Sequence, residues 1–256
     1  MTIISIAILV YAGFCIFIYA TQRNAIYYPT PEMHVPGASD IRLKSDGETL
    51  KIWRLADEDG ANAIIYFGGN AEDVSGNIAD FRDLFPQHNV YLVNYRGYGG
   101  STGTPSEAGF YRDALSVFDE IRNQYTGISV IGRSLGSGVA TYVAAMRDVD
   151  RLVLVTPFDS VESIAKKALP VLPVSLLLKD KFDSVGRVSE IDAPVLVVTA
   201  EHDEVIASRH SFALAEAFPD SQVTVEIIRN VGHNTIGQSP RYADVLSTFL
   251  AARTLE

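Results

Sequence analysis

Cysteine is nearly absent from this chain. A single residue, Cys15, stands among 256, so no disulfide can close within the chain and the redox compartment stays open. No group of Cys and His has metal-ligand spacing, which argues against structural zinc. Positive charge is scarce as well: 21 Lys and Arg against 31 Asp and Glu leave a formal net charge of −10, the wrong sign for a nucleic-acid partner. Internal repeats and low-complexity tracts are missing. What remains is a composition near the globular average, at a length that suits one domain with a large core or two small ones.

Charge is missing altogether from one stretch at the start. Residues 2–20, "TIISIAILVYAGFCIFIYA", are long enough to span a bilayer, with Arg23 the first charged side chain after them. A signal peptide needs a basic start and a small-x-small cleavage site; no Lys or Arg precedes the run, and Tyr19 interrupts such a site. The reading is an uncleaved anchor over residues 1–22. A buried helix of the soluble part is the alternative, disfavoured by hydrophobicity on every side. Flanking charge is too sparse to set an orientation. Residues 23–40, with their prolines, read as a tether.

From residue 41 onward apolar runs alternate with amphipathic segments. The run at 50–56 has the alternation of an early, partly exposed strand, while those at 63–67, 89–95, 128–132, 151–157, 194–200 and 223–228 are short apolar runs that end at turn residues, as strands buried on both faces of a parallel sheet do. Helical spacing covers 77–85, 106–124, 135–147, 208–218 and 240–253. The alternation predicts a doubly wound α/β sheet over 41–256, whose chemistry gathers beyond the C-terminal strand ends. Residues 159–191 break the rhythm: Pro170 and Pro173 split a segment longer than a plain crossover, which reads as a small helical lid.

The stretch "SVIGRSLGSGVA" at 129–140 holds two competing motifs. Gly132-x-Ser134-x-Gly136 is the nucleophile elbow, in which small residues flank a serine so that strand and helix can pack closely. Gly132-x-x-x-Gly136-x-Gly138 could instead be a dinucleotide loop, but that fingerprint opens the first βαβ unit, and several strands precede it here. A nucleophilic serine needs a base, and the base an orienting acid, in the order Ser, acid, His. Of five histidines, His34 sits in the tether, His88 precedes a strand, His202 neighbours a candidate acid and His210 falls in a predicted surface helix; His233 follows the last strand, where a base belongs. The loop after the penultimate strand offers Glu201, Asp203 and Glu204, with Asp203 preferred. Leu135 would open the helix and aim its N–H at an oxyanion, and the loop "YFGGNAED" would supply a second donor from Asn70, or failing that Ala71.

At this point the chain resembles the α/β-hydrolase superfamily, through "FGGNAED", "NYRGYGGSTGTPSE", "GRSLGSGVA", "TPFDSVESIAKKALPVLP", "LLLKDKFDS", "TAEHDEVI" and "GHN". More narrowly it looks like the N-terminally anchored hydrolases with a small lid that include the alpha/beta-hydrolase domain-containing depalmitoylases. The resemblance implies a mostly parallel eight-stranded sheet, with Ser134 as nucleophile, Asp203 as acid and His233 as base. It also implies oxyanion donors at Asn70 and Leu135, and Tyr98 near the pocket. Relatives often carry His-Gly-Asn where this chain has Gly68-Gly69-Asn70, a departure that removes a side-chain brace but no backbone donor. The expected substrate is a small or lipid-like acyl ester or thioester, with no metal or cofactor. A peptidase, or a silent membrane-tethered interaction protein, is the alternative.

Overall fold

The computed structural model describes residues 2–56 and 60–251. Its strands are β1 (Ser39–Ser45), β2 (Glu48–Leu55), β3 (Asn62–Phe67), β4 (His88–Val93), β5 (Gly127–Arg133), β6 (Leu152–Val155), β7 (Val195–Ala200) and β8 (Val223–Ile228). They form one eight-stranded sheet in the order β1-β2-β4-β3-β5-β6-β7-β8. Pairing is antiparallel for β1 with β2 and β2 with β4, and parallel from β4 through β8.

The α-helices are α1 (Ile3–Ile26), α2 (Ile78–Leu84), α3 (Glu107–Ile121), α4 (Leu135–Met146), α5 (Val161–Ala168), α6 (Val174–Leu177), α7 (Ser208–Ala215) and α8 (Pro240–Ala251). The two-residue period of a strand sends its side chains to opposite faces, and β3 shows it: Ala63, Ile65 and Phe67 join one core cluster, Ile64 and Tyr66 the other. The first cluster packs under α3, α4 and α7 through Phe110, Val117, Val139, Val143 and Leu214. The second packs under α2 and α8 through Phe81, Tyr242 and Leu246. Helices on both faces explain why the central strands are apolar throughout.

The pattern of apolar runs did not single out β1. It is an edge strand with half its residues exposed, so it carries no strong periodic signal. A hairpin cue was nonetheless present in Asp46-Gly47, where φ is +48° and +82°, as a two-residue type I′ turn requires. Residues 27–38 are pinned to the domain: Thr30 accepts from the Gly99 N–H, Met33 from Lys51, and Tyr27 is buried edge-on against Phe110. The helix expected over 240–253 runs to Ala251, and residues 252 and 253 lie outside the described residues, as does residue 1 of the expected anchor.

Between β6 and β7 the chain leaves the sheet as an insertion of α5, α6 and a 3-10 segment at Val185–Glu190. Ser160 caps α5, accepting from the Ser163 N–H at 3.0 Å, and Pro170 and Pro173 separate α5 from α6. Only 6% of the most apolar stretch of α1 is buried, so α1 is not a core helix.

Candidate active site

The crossover after β5 turns sharply at Ser134, whose φ of +50° and ψ of −116° lie outside the regions that L-residues favour. Such strain costs about 1–3 kcal/mol and persists only where surroundings enforce it. Here the Ser134 N–H donates to the Val155 carbonyl at 2.9 Å, while its own carbonyl accepts from both the N–H and hydroxyl of Ser137. The flanking glycines are obligatory. A Cβ on Gly132 would lie 2.3 Å from the Gly136 carbonyl oxygen, and one on Gly136 would lie 2.0 Å from that of Phe67. Gly138, in the next turn of α4, leaves room for the ring of Phe182.

Loops after β7 and β8 bring two further groups to the serine. His233 Nε2 stands 2.9 Å from Ser134 Oγ, and its Nδ1 stands 2.8 Å and 3.0 Å from the two carboxylate oxygens of Asp203. The carboxylate places the ring proton on Nδ1, leaving Nε2 to accept from the serine hydroxyl. Asp203 is held in turn by the N–H groups of Val205 and Ile206. The side chains of His233 and Asp203 are only 5% and 3% exposed, so the pair works in a water-poor setting. The other two acids of this loop have separate tasks. Glu204 accepts from the His233 backbone N–H and Glu201 from that of Asn230. The loop thus divides its three carboxylates between one imidazole and the backbone that carries it.

On the opposite side of Ser134 lies the loop after β3. The N–H of Asn70 and that of Leu135, the first residue of α4, donate to no protein acceptor among the described residues. The Ala71 N–H is engaged by Asn70 Oδ1 at 3.1 Å, and Ala71 sits at φ +59° with its side chain exposed. The side chain of Asn70 is fixed from several directions. Its Nδ2 donates to the Ile26 carbonyl at 2.6 Å, and its Oδ1 accepts from the Tyr28 N–H and the Tyr98 hydroxyl. Tyr98 is therefore buried beneath the loop and braces Asn70. Burial pushes its hydroxyl up to about 12, so it remains a donor at any ordinary pH.

Two residues that the motifs did not single out bind these loops together. Glu72 Oε2 accepts from the Gly69 N–H at 2.6 Å and from Arg133 Nη1 at 2.7 Å, while Oε1 accepts from the Tyr66 hydroxyl and Asn77 Nδ2. Arg133 Nη2 reaches on to the His233 carbonyl and Asn234 Oδ1. One ion pair thus spans the β3 loop, the elbow and the histidine loop. Burial alone would raise the Glu72 carboxyl, but Arg133, Tyr66 and the Gly69 N–H together hold it below the usual range. A cue lay in the middle letter of Gly-Arg-Ser, since a long cation at the end of a buried strand must find a partner.

His210 departs from its expected surface position. It is buried on α7, with Nδ1 2.8 Å from Asp159 and Nε2 against Arg209, so it ties the base of the insertion to α7. His202 is exposed beside Glu201, and His34 is exposed. The described residues hold no cluster of His, Cys, Asp and Glu fit for a metal ion.

The sequence model of the alpha/beta hydrolase fold matches residues 62–189, half of the chain. A protein of Mycobacterium tuberculosis named as uncharacterized is 32% identical over 248 residues, covering 91% of this chain and 88% of its own length. The chain belongs to the alpha/beta hydrolase fold family. Another relative is 27% identical over 98% of this chain and 93% of its own length, and is named an uncharacterized membrane protein of Saccharomyces cerevisiae. Among solved structures, the esterase Pf2001 of Pyrococcus furiosus superposes with a TM-score of 0.72 at 16% identity, covering 88% of this chain and 97% of its own. At that identity the likeness speaks for the fold. In such a sheet, ligands bind beyond the C-terminal strand ends, and Asn70, Ser134, Asp203 and His233 all follow those ends of β3, β5, β7 and β8.

Proposed function

We propose that the protein is a serine hydrolase that cleaves carboxylic esters or thioesters with a lipophilic acyl group, held at a membrane by α1. The observation that carries the reading is the unbroken hydrogen-bond chain from Ser134 through His233 to Asp203, set on a strained elbow. In this mechanism His233 Nε2 takes the hydroxyl proton as Ser134 Oγ bonds to the acyl carbon. The tetrahedral oxyanion rests on the N–H groups of Asn70 and Leu135, the latter backed by the partial positive charge at the α4 N-terminus. His233 returns the proton to the leaving oxygen or sulfur as its bond to carbon breaks. Water then repeats the sequence: it gives a proton to His233, attacks the acyl-enzyme, and Ser134 recovers its own proton from the ring. Asp203 holds the tautomer and offsets the imidazolium charge in both halves.

An apolar groove of about 210 Å³ supports the lipophilic acyl group. It runs between α1 and the insertion, lined by Ile18, Ala25 and Ile26 on one side and Val161, Leu172 and Leu177 on the other. Ile26, in the wall of this groove, also supplies the carbonyl that holds Asn70, so one residue links the groove's wall to the loop of the proposed oxyanion donor. The exposed apolar surface of α1 and the name of the yeast relative support the anchor.

A fluorophosphonate probe on the full chain, with Ser134→Ala as control, tests the nucleophile. Labelling is expected for the wild type alone, and labelling that survives the substitution refutes the assignment. A series of p-nitrophenyl esters of rising chain length then reads acyl preference; turnover of peptide amides with no ester turnover would make the protein a peptidase.

A further inference from the structure

We propose that the insertion between β6 and β7 is a second membrane-contacting element, with residues 169–172 standing in the leaflet crossed by the C-terminal half of α1. The proposal rests on the reading of α1 as a membrane anchor. Its first support is a long-range hydrogen bond: the Tyr11 hydroxyl donates to the Val171 carbonyl at 2.7 Å. Tyr11 lies eleven residues before Gln22, where the insertion also meets α1, and eleven residues of α-helix advance about 16 Å. That is roughly half of a hydrocarbon core of about 30 Å. If α1 spans, Val171 is carried down beside it.

The two elements also change character at the same height. α1 has no charged side chain before Arg23, and the insertion has none between Lys167 and Lys179. These ends meet. Arg23 pairs with Asp180 at 2.7 Å, Lys179 lies 4.0 Å from the Tyr19 ring centroid, and the Gln22 side chain bonds both the Leu177 carbonyl and the Lys179 N–H. Lys166, Lys167 and Lys179 stand exposed around this level, where basic side chains meet phosphate headgroups.

Beyond that boundary the surface is apolar. Val171 is 77% and Leu176 82% exposed, with Leu169 also exposed, although each could have been polar at no cost to the core. Much of the backbone there is satisfied within the segment. Pro170 and Pro173 bring no N–H, and those of Leu169, Leu172, Val174, Leu176, Leu177 and Leu178 donate to nearby carbonyls, while the Val171 N–H at the apex donates to no acceptor among the described residues. The Tyr11 hydroxyl caps a carbonyl at the apex that hydrocarbon would otherwise leave bare.

The test uses the full chain in lipid nanodiscs, in a Cys15→Ser background with one new cysteine at a time carrying an environment-sensitive fluorophore. Val171→Cys reports the apex, Phe17→Cys the anchor and Glu190→Cys the aqueous surface. All three side chains are exposed, so labelling spares the core, and melting in the same nanodiscs checks the fold. Doxyl-labelled lipids are expected to quench the Val171 label as strongly as the Phe17 label and severalfold more than the Glu190 label, with the reverse order for iodide. A Val171 label quenched by iodide like Glu190, while Phe17 stays lipid-quenched, overturns the proposal and leaves the anchor standing. Iodide quenching at Phe17 overturns the anchor, and the proposal with it.

Discussion

Removing the Glu72 carboxylate should cost both stability and turnover, in proportions that reveal what the residue does. In Glu72→Ala, Arg133 keeps its charge with an 18% exposed side chain and loses its ion pair, while the Gly69 N–H loses its acceptor. Breaking a fully buried pair by deleting one partner costs about 3–5 kcal/mol, and at 12% and 18% exposure this pair should lose part of that. For a chain of this size the full cost corresponds to a melting temperature lower by roughly 6–20 °C, which sets the upper range. The loop carrying Asn70 would also lose its tie to the elbow. A donor displaced by about 1 Å costs up to about a hundredfold in rate, so kcat for p-nitrophenyl acetate should fall by about ten- to a hundredfold with KM little changed. Glu72→Gln separates charge from shape. Its oxygen can still serve Gly69 and Arg133, its amide can turn toward Tyr66 and Asn77, and both of those groups can reverse roles to accept. It should therefore retain most of kcat while losing part of the stability. If Glu72→Ala melts early but keeps wild-type kcat, the ion pair holds the fold without positioning the oxyanion loop. If neither quantity moves, the network has no energetic weight.

Other outcomes follow from the same contacts. The folded Glu72 carboxyl titrates below its ordinary range, so its contribution is present above that range and disappears as pH falls through the folded value. The gap in melting temperature between wild type and Glu72→Gln should be open at pH 7 and close in acid; a gap that widens in acid would contradict this. Gly136→Ala places a Cβ 2.0 Å from the Phe67 carbonyl oxygen, a backbone atom that cannot rotate away, so expression should yield no cooperative melt. Normal folding of that variant would mean the elbow is looser than described. Ala165→Phe adds a ring to the groove and should lower the ratio of long-chain to short-chain ester turnover by on the order of tenfold. An equal effect on both esters would place the acyl group elsewhere.

Much of the frame was legible because its signals are local. β-branched runs ending at turns marked the buried strands, and the small residues around Ser134 marked the elbow. What escaped depends on contacts between distant positions. Glu72 and Arg133 are 61 residues apart and meet only because β3 and β5 are parallel neighbours. Sequence preferred Asp203 among the three acids of its loop, but only geometry showed that Glu201 and Glu204 hold the backbone N–H groups of Asn230 and His233. β1 escaped because an edge strand can be polar, and His210 was misplaced because helical spacing does not show that Asp159 waits on its other side.

The bond from Asn70 to the Ile26 carbonyl has a practical side. The customary way to make an anchored protein tractable is to express it without its first helix. Here that cut would remove an acceptor from the loop that carries a proposed oxyanion donor, together with one wall of the apolar groove. A shortened, water-soluble form is therefore a different catalyst, expected to underreport turnover and to misreport chain-length preference. Kinetics meant to describe this protein need α1 in place, in detergent or lipid if the proposed anchor holds.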